Sequence, residues 1–126
     1  MIGVLARVPV YAYCEPADMR KGYEGLSGLV REELGKDPLS GALYLFSNRR
    51  RNRAKVLYFD GTGLCVLAKR LEKGRFVALW HHVERKTIRL TKSELELFLQ
   101  GSQLIARFQI APQPLNEKDL EVGSRM

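Results

Sequence analysis

Residues 48–75 read NRRRNRAKVLYFDGTGLCVLAKRLEKGR, and this stretch decides the expected fold of the chain. It contains nine basic and two acidic residues, so its formal charge of +7 equals that of the whole 126-residue protein. The remaining twelve basic residues are therefore balanced by twelve acidic residues. The positive charge is thus concentrated in one segment, which also carries the clearest strand and turn signals.

Three apolar runs in and before this segment predict an antiparallel sheet. Residues 42–46 (ALYLF), 54–59 (AKVLYF) and 64–70 (LCVLAKR) are rich in the β-branched and aromatic side chains that strands favour. The DGTG sequence at 60–63 joins the last two runs, and its glycines can adopt the positive φ values of a hairpin turn. The sequence therefore predicts a three-stranded antiparallel meander.

The hairpin is expected to bring two basic clusters together. Its strands run in opposite directions, so residues 69–70 lie beside residues 54–55, at the foot of the arginine-rich connection 47–53. A three-residue loop would place Lys55 opposite Lys69, whereas a two-residue loop would shift the pairing by one residue. In either register we expect a single basic surface at this end of the meander.

Cations crowded at one end of a sheet suggest a bound polyanion, because like charges that face each other across strands are destabilising. Long side chains that extend into water are the alternative explanation. Nucleic acid is favoured over a membrane surface as the partner of a chain with this charge. The expected nucleic-acid-binding residues are Arg49, Arg50, Arg51, Arg53, Lys55, Lys69, Arg70, Lys73 and Arg75, with Arg20 and Lys21 as additional candidates.

The chain before the meander predicts one strand and one long helix. Residues 8–14 (VPVYAYC) read as a strand, in which Pro9 indicates either an edge position or a start just after the proline. Residues 20–34 follow with a helical pattern, with Asp18 as the expected N-cap and Gly35 at the C-terminal end. The expected apolar face consists of Tyr23, Leu26, Val30 and Leu34.

Three glycines, Gly22, Gly25 and Gly28, lie on another stripe of this helix. Each costs about 1 kcal/mol relative to alanine inside a helix, so their presence needs a compensating reason. Close packing of the helix on the sheet is one explanation. Close approach of a ligand or of a partner's backbone is the other.

The C-terminal part of the chain predicts a smaller strand and a short helix. Phe76, Val77, Leu79 and Trp80 are expected in or at the rim of the core, and residues 87–90 (TIRL) as a strand. Thr91 and Glu94 have the spacing of a capping box, which opens a helix that ends at Gly101. Residues 104–110 are expected as a short strand or a helix extension. The expected architecture is a single α+β domain over residues 1–111, in which the meander packs with one long and one short helix, followed by a flexible tail at 112–126.

Catalytic motifs are absent from the sequence. His81 and His82 are adjacent and are expected to form an exposed loop pair. No P-loop and no G-x-S-x-G sequence occurs. Asp18, Asp37 and Asp60 are candidates for the metal-binding carboxylate cluster of a nuclease, but each has a local role in a cap or turn. Neither catalysis, a cofactor nor a metal is expected.

The cysteines and the apolar runs predict a cytoplasmic protein. Cys14 and Cys65 are far apart in sequence and lie in apolar contexts, as expected of free thiols in a reducing compartment. The first residues lack the layout of a signal peptide, and no apolar run reaches transmembrane length. We expect a bacterial cytoplasmic location, with nucleoid association if the protein binds DNA.

A succession of short motifs resembles one known family. The motifs are DMRKG at 18–22, DP-x-SG at 37–41, the basic connection at 48–55, Y-x-DGTG at 58–63 and KRLEKGRF at 69–76. Together they resemble the small accessory proteins of the insertion-sequence-sixty-six family of bacterial transposons, called TnpB or the second open reading frame (unrelated to the RNA-guided nucleases of the same name). The resemblance extends from Val8 to Gly101.

This resemblance implies a helper role in DNA transposition, beside a separate and larger transposase. Three hypotheses follow if the chain is, as the resemblance implies, a protein of a mobile genetic element. The first is a non-catalytic accessory protein that binds transposon-end DNA through the basic hairpin surface, and this is the function we expect. The second is an adaptor that docks the transposase through the glycine-striped helix or an exposed strand edge. The third is a metal-dependent nuclease.

Overall fold

The computed structural model describes residues 8–80 and 84–103, which form a five-stranded mixed sheet and two helices. The strands are β1 (Val10–Tyr13), β2 (Leu43–Ser47), β3 (Arg53–Phe59), β4 (Leu64–Arg70) and β5 (Thr87–Leu90), and the helices are α1 (Tyr23–Glu32) and α2 (Lys92–Leu99). The strand order across the sheet is β4-β3-β2-β1-β5. The predicted α+β class is confirmed. Neither of the described helices is long and apolar enough to cross a membrane.

The predicted meander is formed by β2, β3 and β4, which pair antiparallel in that order. The N–H of Asp60 donates to the carbonyl oxygen of Gly63 (3.0 Å), which leaves a two-residue loop between them. The shorter of the two expected loops is therefore the one that forms. In this register Ala54 pairs with Lys69.

The first strand lies inside the sheet. β1 pairs parallel with β2 and antiparallel with β5, and α1 is the crossover between the two parallel strands. The interpretation of Pro9 as an edge residue is therefore wrong. Its alternative is confirmed, because the strand begins at Val10, one residue after the proline, and no ladder hydrogen bond is lost.

Each face of the sheet has its own apolar cluster. On one face, Leu26 and Val30 of α1 pack with Leu57 and other strand residues. On the other face, Phe76 stacks on Phe98 of α2 with ring centroids 4.8 Å apart. Alternate residues of a strand point to opposite faces, so the cations of β3 and β4 are divided between the two faces as well.

Helix α1 is shorter than predicted, and its N-cap is a different residue from the predicted one. The N-cap is Gly22, which makes no side-chain capping bond, so the prediction of Asp18 as the cap is wrong. The Asp18 carboxylate instead accepts hydrogen bonds from the backbone N–H and the guanidinium of Arg20, which form a turn before the helix. Tyr23 is 55% exposed and not part of the core. It lies at the first helical position, three residues before the buried Leu26.

The glycine stripe is not explained by close packing on the sheet. A Cβ atom at Gly22 or Gly28 would meet no heavy atom within 4 Å. One at Gly25 would lie 2.9 Å from both Cβ and Cγ of Lys21, the base of that side chain, which cannot move away without a shift of the backbone. Among the described residues, Gly25 is therefore required by the close approach of Lys21, whereas no neighbouring atom requires a glycine at position 22 or 28.

The second helix follows its sequence prediction. Thr91 Oγ1 accepts from the N–H of Glu94 (3.0 Å), and the Glu94 carboxylate accepts from the N–H of Thr91 (2.8 Å), which completes the capping box. Gly101 follows the helix with φ of 84°. Phe76, Val77 and Leu79 are buried as predicted, and Trp80 is half-buried. The predictions for His81 and His82, for residues 104–110 and for the tail at 112–126 lie outside the described residues.

Candidate nucleic-acid interface

The arginine-rich connection, residues 48–53, forms a tight turn that we call the arginine turn. The side-chain oxygen of Asn48 accepts from the backbone N–H groups of Asn52 (3.0 Å) and Arg53 (3.1 Å). The Asn48 amide nitrogen donates to the side-chain oxygen of Asn52 (2.8 Å). Asparagine favours such side-chain-to-backbone turns, and these bonds give the turn a defined shape without any contribution from the side chains of Arg49 and Arg50.

Arg51 anchors the arginine turn to the rest of the fold. Its backbone has φ of 62°, the left-handed region that is unfavourable for residues other than glycine. The Arg51 carbonyl accepts from the N–H of Phe76 (2.7 Å), and its guanidinium donates to the Phe76 carbonyl (3.4 Å). Arg51 thus holds the turn against the segment that enters the core at Phe76.

Arg49 and Arg50 form the exposed tip of the arginine turn. Within residues 8–80 and 84–103, neither side chain has a hydrogen bond or an ion pair. Two guanidinium groups on a turn of fixed shape can therefore meet a ligand without first breaking an internal contact. Guanidinium groups are well suited to phosphate oxygens, because their planar donors can bind in pairs.

Two adjoining grooves flank the turn, and both include Met19 and Arg53. The first, which we call the hairpin groove, has a volume of about 460 Å³, and the second, the turn groove, about 640 Å³. The hairpin groove is lined by Met19, Arg53, Ala54, Lys55, Ala68, Lys69, Arg70 and Glu72. The turn groove is lined by Ala17, Asp18, Met19, Arg20, Asn48, Arg49, Arg50, Asn52 and Arg53.

The hairpin brings the expected cations to one end of the sheet but separates them by face. Arg53 pairs with Arg70 across the ladder, on the α1 face. Lys69 pairs with Ala54 and lies on the opposite face. The Lys55 ammonium donates to the carbonyl oxygen of Lys21 (2.8 Å), so it tethers the chain just before α1. Lys55 is therefore engaged in the fold, whereas the other three cations are exposed.

Acidic side chains reduce the charge of this end only slightly. Arg70 contacts Glu72 at 3.4 Å, and both side chains are largely exposed. Arg20 pairs with Asp18 at 2.7 Å, and this contact holds the pKa of the Asp18 carboxyl well below its usual range. Exposed pairs of this kind are weak, so phosphate groups can compete for the same guanidinium groups.

The last two candidates and a further pair of cations lie around the rim. Lys73 and Arg75 are exposed in the segment after β4, and the Arg75 carbonyl accepts from the Gln103 side chain (3.1 Å). β5 begins at the same end of the sheet, because Thr87 pairs with Tyr13 at the end of β1. Arg85 and Lys86 therefore also lie at this end, at the far edge from β4, and Lys86 pairs with Glu33 (2.6 Å).

The sequence reasoning missed four residues of this end: Met19, Asn48, Arg85 and Lys86. Asn48 carried a signal, since asparagine before a short polar connection is typical of a side-chain-held turn. Arg85 and Lys86 carried none, because their place depends on the pairing of β5 with β1, which strand periodicity does not reveal.

The carboxylates proposed as a metal cluster each have local partners. Asp37 accepts from the N–H of Leu39 (2.9 Å), and Asp60 accepts from the N–H groups of Thr62 (2.9 Å) and Gly63 (3.0 Å). These backbone hydrogen bonds lower the pKa of Asp60. Within the described ranges, no group of three or more His, Cys, Asp or Glu side chains is placed to hold a metal ion.

Both cysteines are free thiols in the structure. Cys14 is buried, and this burial, with a smaller effect of Glu15, raises the pKa of its thiol to about 12. The thiol of Cys65 contacts the Asp60 carboxylate at 3.6 Å. Partial burial, followed by the charge of Asp60, raises the pKa of Cys65, so neither thiol is activated as a nucleophile.

The described residues define a small α+β protein with one basic, grooved end. The family model for IS66 Orf2-like proteins matches residues 8–108, so the chain belongs to this family, which is associated with transposition. An uncharacterized protein of Sinorhizobium fredii, y4hO, is 39% identical over 84 residues, which cover 67% of this chain and 71% of the relative. A second uncharacterized protein of the same organism, y4jC, is 31% identical over 101 residues, 80% of this chain and 85% of the relative. No solved structure matches the chain.

Proposed function

We propose that this chain is a non-catalytic accessory protein of transposition that binds DNA through its basic end. Membership of the IS66 Orf2-like family supports the setting, because an insertion sequence is itself DNA. The observation that carries the proposal is the tip of the arginine turn. Arg49 and Arg50 are exposed on a turn that is held by other side chains, and neither side chain makes a hydrogen bond or an ion pair within the described residues.

The proposed contact set is smaller than the sequence suggested. Arg49, Arg50 and Arg53 would contact phosphates from the turn, and Lys69 and Arg70 from the hairpin. Lys55 and Arg51 act within the fold, since both donate to backbone carbonyls. Five strands spaced by about 4.8 Å make this end about 19 Å wide, which equals roughly five base pairs of length along the axis of a DNA duplex.

The test is the salt dependence of DNA binding by a double variant, Arg49→Ala/Arg50→Ala. Each phosphate contact contributes about 0.9 to the slope of log K against log salt, so this variant should lose nearly two units of slope. At 0.1 M salt the affinity should fall by up to about 60-fold. Gel shifts with transposon-end duplex and with random-sequence duplex, at several salt concentrations, measure both quantities.

The control is Lys36→Ala/Lys92→Ala, which removes the same charge outside the arginine turn. Lys36 lies over the ring of Tyr11 (4.3 Å) and Lys92 pairs with Glu96 (3.0 Å), so neither belongs to the proposed contact set. The control should keep the slope of the unaltered protein. Equal slopes for the two double variants would show that only net charge matters, and an unchanged slope in Arg49→Ala/Arg50→Ala would refute the proposal.

The glycine stripe favours a second candidate function, docking of the transposase on α1. Gly22 and Gly28 have open space where a side chain would be, and nothing inside the described fold requires that space. Gly28→Gln should weaken co-purification with the transposase after nuclease treatment at high salt, while Glu32→Gln on the same helix should not. Retention of the transposase by Gly28→Gln would rule out docking at this stripe.

A further inference from the structure

The outer edge of β4 is the longest unpaired edge in the described sheet. β4 has seven residues and is the first strand in the order, whereas β5 at the other edge has four. In an antiparallel ladder, alternate residues bond to the neighbouring strand. Asp60 donates to Gly63, and Leu71 donates to Asn52, so the odd-numbered residues of β4 bond to β3. The even-numbered residues therefore point their N–H and C=O groups outward.

These outward groups have no partner among the described residues. They belong to Leu64, Val66, Ala68 and Arg70, which β4 presents as a continuous row. Leu67, on the opposite face, is 46% exposed, one of three large apolar side chains so exposed in the described chain. An unpaired edge with an exposed leucine at its centre is a site for pairing with another strand.

We propose that β4 pairs antiparallel with β4 of a second copy of this chain. The pairing that uses all seven residues places Leu67 opposite Leu67 of the second copy, on a two-fold axis. Val66 then faces Ala68, and Leu64 faces Arg70, so every outward N–H and C=O finds a partner. The two sheets join into one continuous sheet of ten strands.

The charge pattern of the strand is compatible with a second copy in the antiparallel direction and disfavours the parallel one. The cations of β4, Lys69 and Arg70, are both at its C-terminal end. Antiparallel pairing places Lys69 opposite Cys65 and Arg70 opposite Leu64, so no two cations face each other. Parallel pairing in register would place each cation opposite itself, which is unfavourable.

One pair of opposite charges also approaches beyond each end of the strand. Beyond Leu64 lies the turn that contains Asp60, whose low pKa keeps it ionised. In the antiparallel register this turn approaches residues 71–74 of the second copy, which carry Glu72 and Lys73 and have no net charge. Asp60 can therefore approach Lys73 of the second copy at each end of the joint.

The proposed dimer does not depend on the proposed DNA binding. If both form, the dimer would carry two DNA-binding ends. Each copy presents its arginine turn at the C-terminal end of β4, and the two-fold axis sends these ends in opposite directions. Lys69 and Arg70 belong to both surfaces, but the tip residues Arg49 and Arg50 lie outside β4. The variant Arg49→Ala/Arg50→Ala therefore tests DNA binding without altering the edge, and the two proposals can fail separately.

The first test is the oligomeric state of the full chain by sedimentation equilibrium. The unaltered protein should sediment as two chains, twice 14.4 kDa. Leu67→Lys places like charges on the axis, and Ala68→Pro removes an outward N–H that β3 does not use. Both should weaken the dimer by about tenfold or more, because each changes a directly paired position. Leu39→Lys is the matched control, since Leu39 is 53% exposed in the turn before β2.

The second test is a register-specific cross-link that does not require a loss of folding or binding. Residues opposite each other in a non-hydrogen-bonded antiparallel pair have Cα atoms about 4.5 Å apart, within disulfide range. Lys69→Cys should therefore form a disulfide between its new thiol and Cys65 of the second copy under mild oxidation. Lys69→Cys/Cys65→Ser should lose this cross-link.

The outcomes of these two tests show whether a second copy of the chain pairs with the outer edge of β4. A dimer that Leu67→Lys and Ala68→Pro abolish, with the Lys69→Cys cross-link, supports the proposal. A monomer at all concentrations overturns it and would fit an edge covered by the chain's own remaining residues or by another protein. A dimer that persists in both edge variants, or one without the cross-link, also overturns it, because the interface must then lie elsewhere.

Discussion

The two turns that flank β3 are built in the same way and carry opposite charges. At the start of the strand, the Asn48 side chain accepts from two backbone N–H groups of the arginine turn. At the end of the strand, the Asp60 side chain accepts from two backbone N–H groups of the hairpin turn. In both turns, the first residue holds the backbone through its side-chain oxygen.

The difference between the turns lies in what their tips present. Gly61 and Thr62 form the tip of the hairpin turn, and the Thr62 hydroxyl donates back to Asp60 (3.1 Å). Arg49 and Arg50 form the tip of the arginine turn, and within the described residues their side chains donate no hydrogen bond to the turn. Turn formation thus explains every polar side chain of the hairpin turn, whereas it leaves two cations of the arginine turn unexplained. This contrast is why we assign the binding role to one turn only.

Loss of the Asn48 side chain should have the largest effect on both the stability and the DNA binding of the arginine turn. Asn48→Ala leaves two backbone N–H groups without their acceptor and should lower the free energy of unfolding by about 2 kcal/mol. DNA binding should also weaken, although every cation is retained, because the tip loses its fixed shape. Urea denaturation and gel shifts measure the two effects. Asn48→Asp, which keeps the acceptor oxygen, should be closer to the unaltered protein, and equal loss in both variants would contradict this account of the turn.

The left-handed residue of the arginine turn should give the next largest effect. Arg51→Gly relieves the positive φ, and Arg51→Ala does not, although both lose the bond to the Phe76 carbonyl. The glycine variant should therefore be more stable than the alanine variant by about 1 kcal/mol. Urea denaturation curves of the two variants would test this order of stability. If Arg51→Ala were as stable as Arg51→Gly or more so, the backbone of Arg51 would not be strained.

The charge of Asp60 should produce a pH dependence that Asn48 does not. Hydrogen bonds lower the pKa of Asp60 in the folded protein, so its stabilisation is present above the unfolded value of about 3.9 and is lost as the pH falls through the folded value. Between pH 5 and pH 2, Tm should therefore fall by a few degrees more in the unaltered protein than in Asp60→Asn. Other carboxylates, Asp18 included, are common to both proteins and cancel. Identical pH profiles would show that the Asp60 charge plays no part in the turn.

Removal of an acidic group beside the basic end should give the smallest effect. Glu72→Gln releases Arg70 from its 3.4 Å contact and should strengthen DNA binding only a few-fold, because the pair is exposed and weak. Asp37→Asn makes the same change in net charge in the turn before β2, keeps an acceptor oxygen for the N–H of Leu39, and should leave affinity unchanged. A gel shift at low salt compares them, and an equal gain in both would assign the effect to net charge and not to position.

The meander and the short helix could be predicted from the sequence because their signals are local. The DGTG turn fixes the β3–β4 register within a few residues, and Thr91 with Glu94 fixes the start of α2. The place of β1 between β2 and β5 could not be predicted, because two strands far apart in sequence leave no joint pattern in either. The start of α1 failed for a different reason. Asp18 has the chemistry of an N-cap, but Arg20 competes for its carboxylate.

The candidate interface was predicted as a location more accurately than as a set of side chains. Strand direction places both basic clusters at one end, and the structure has them there. The geometry of the side chains decides which cations are exposed, and neither the hydrophobic periodicity nor the charge of the sequence reveals that geometry. Lys55 and Arg51 resemble their neighbours in sequence, yet both donate to backbone carbonyls in the fold. The roles of all these residues in binding stay predictions.

The strand order also has a consequence for the folding kinetics. The arginine turn and the β3–β4 hairpin involve contacts between residues close in sequence, and such contacts form early because little chain entropy is lost in closing short loops. β1 and β5 pair residues from nearly opposite ends of the described chain, as in Val10 with Leu90, and must close late. We therefore expect the basic end to take shape before the sheet is complete. Substitutions in β3 and β4 should slow refolding, whereas those in β5 should mainly speed unfolding.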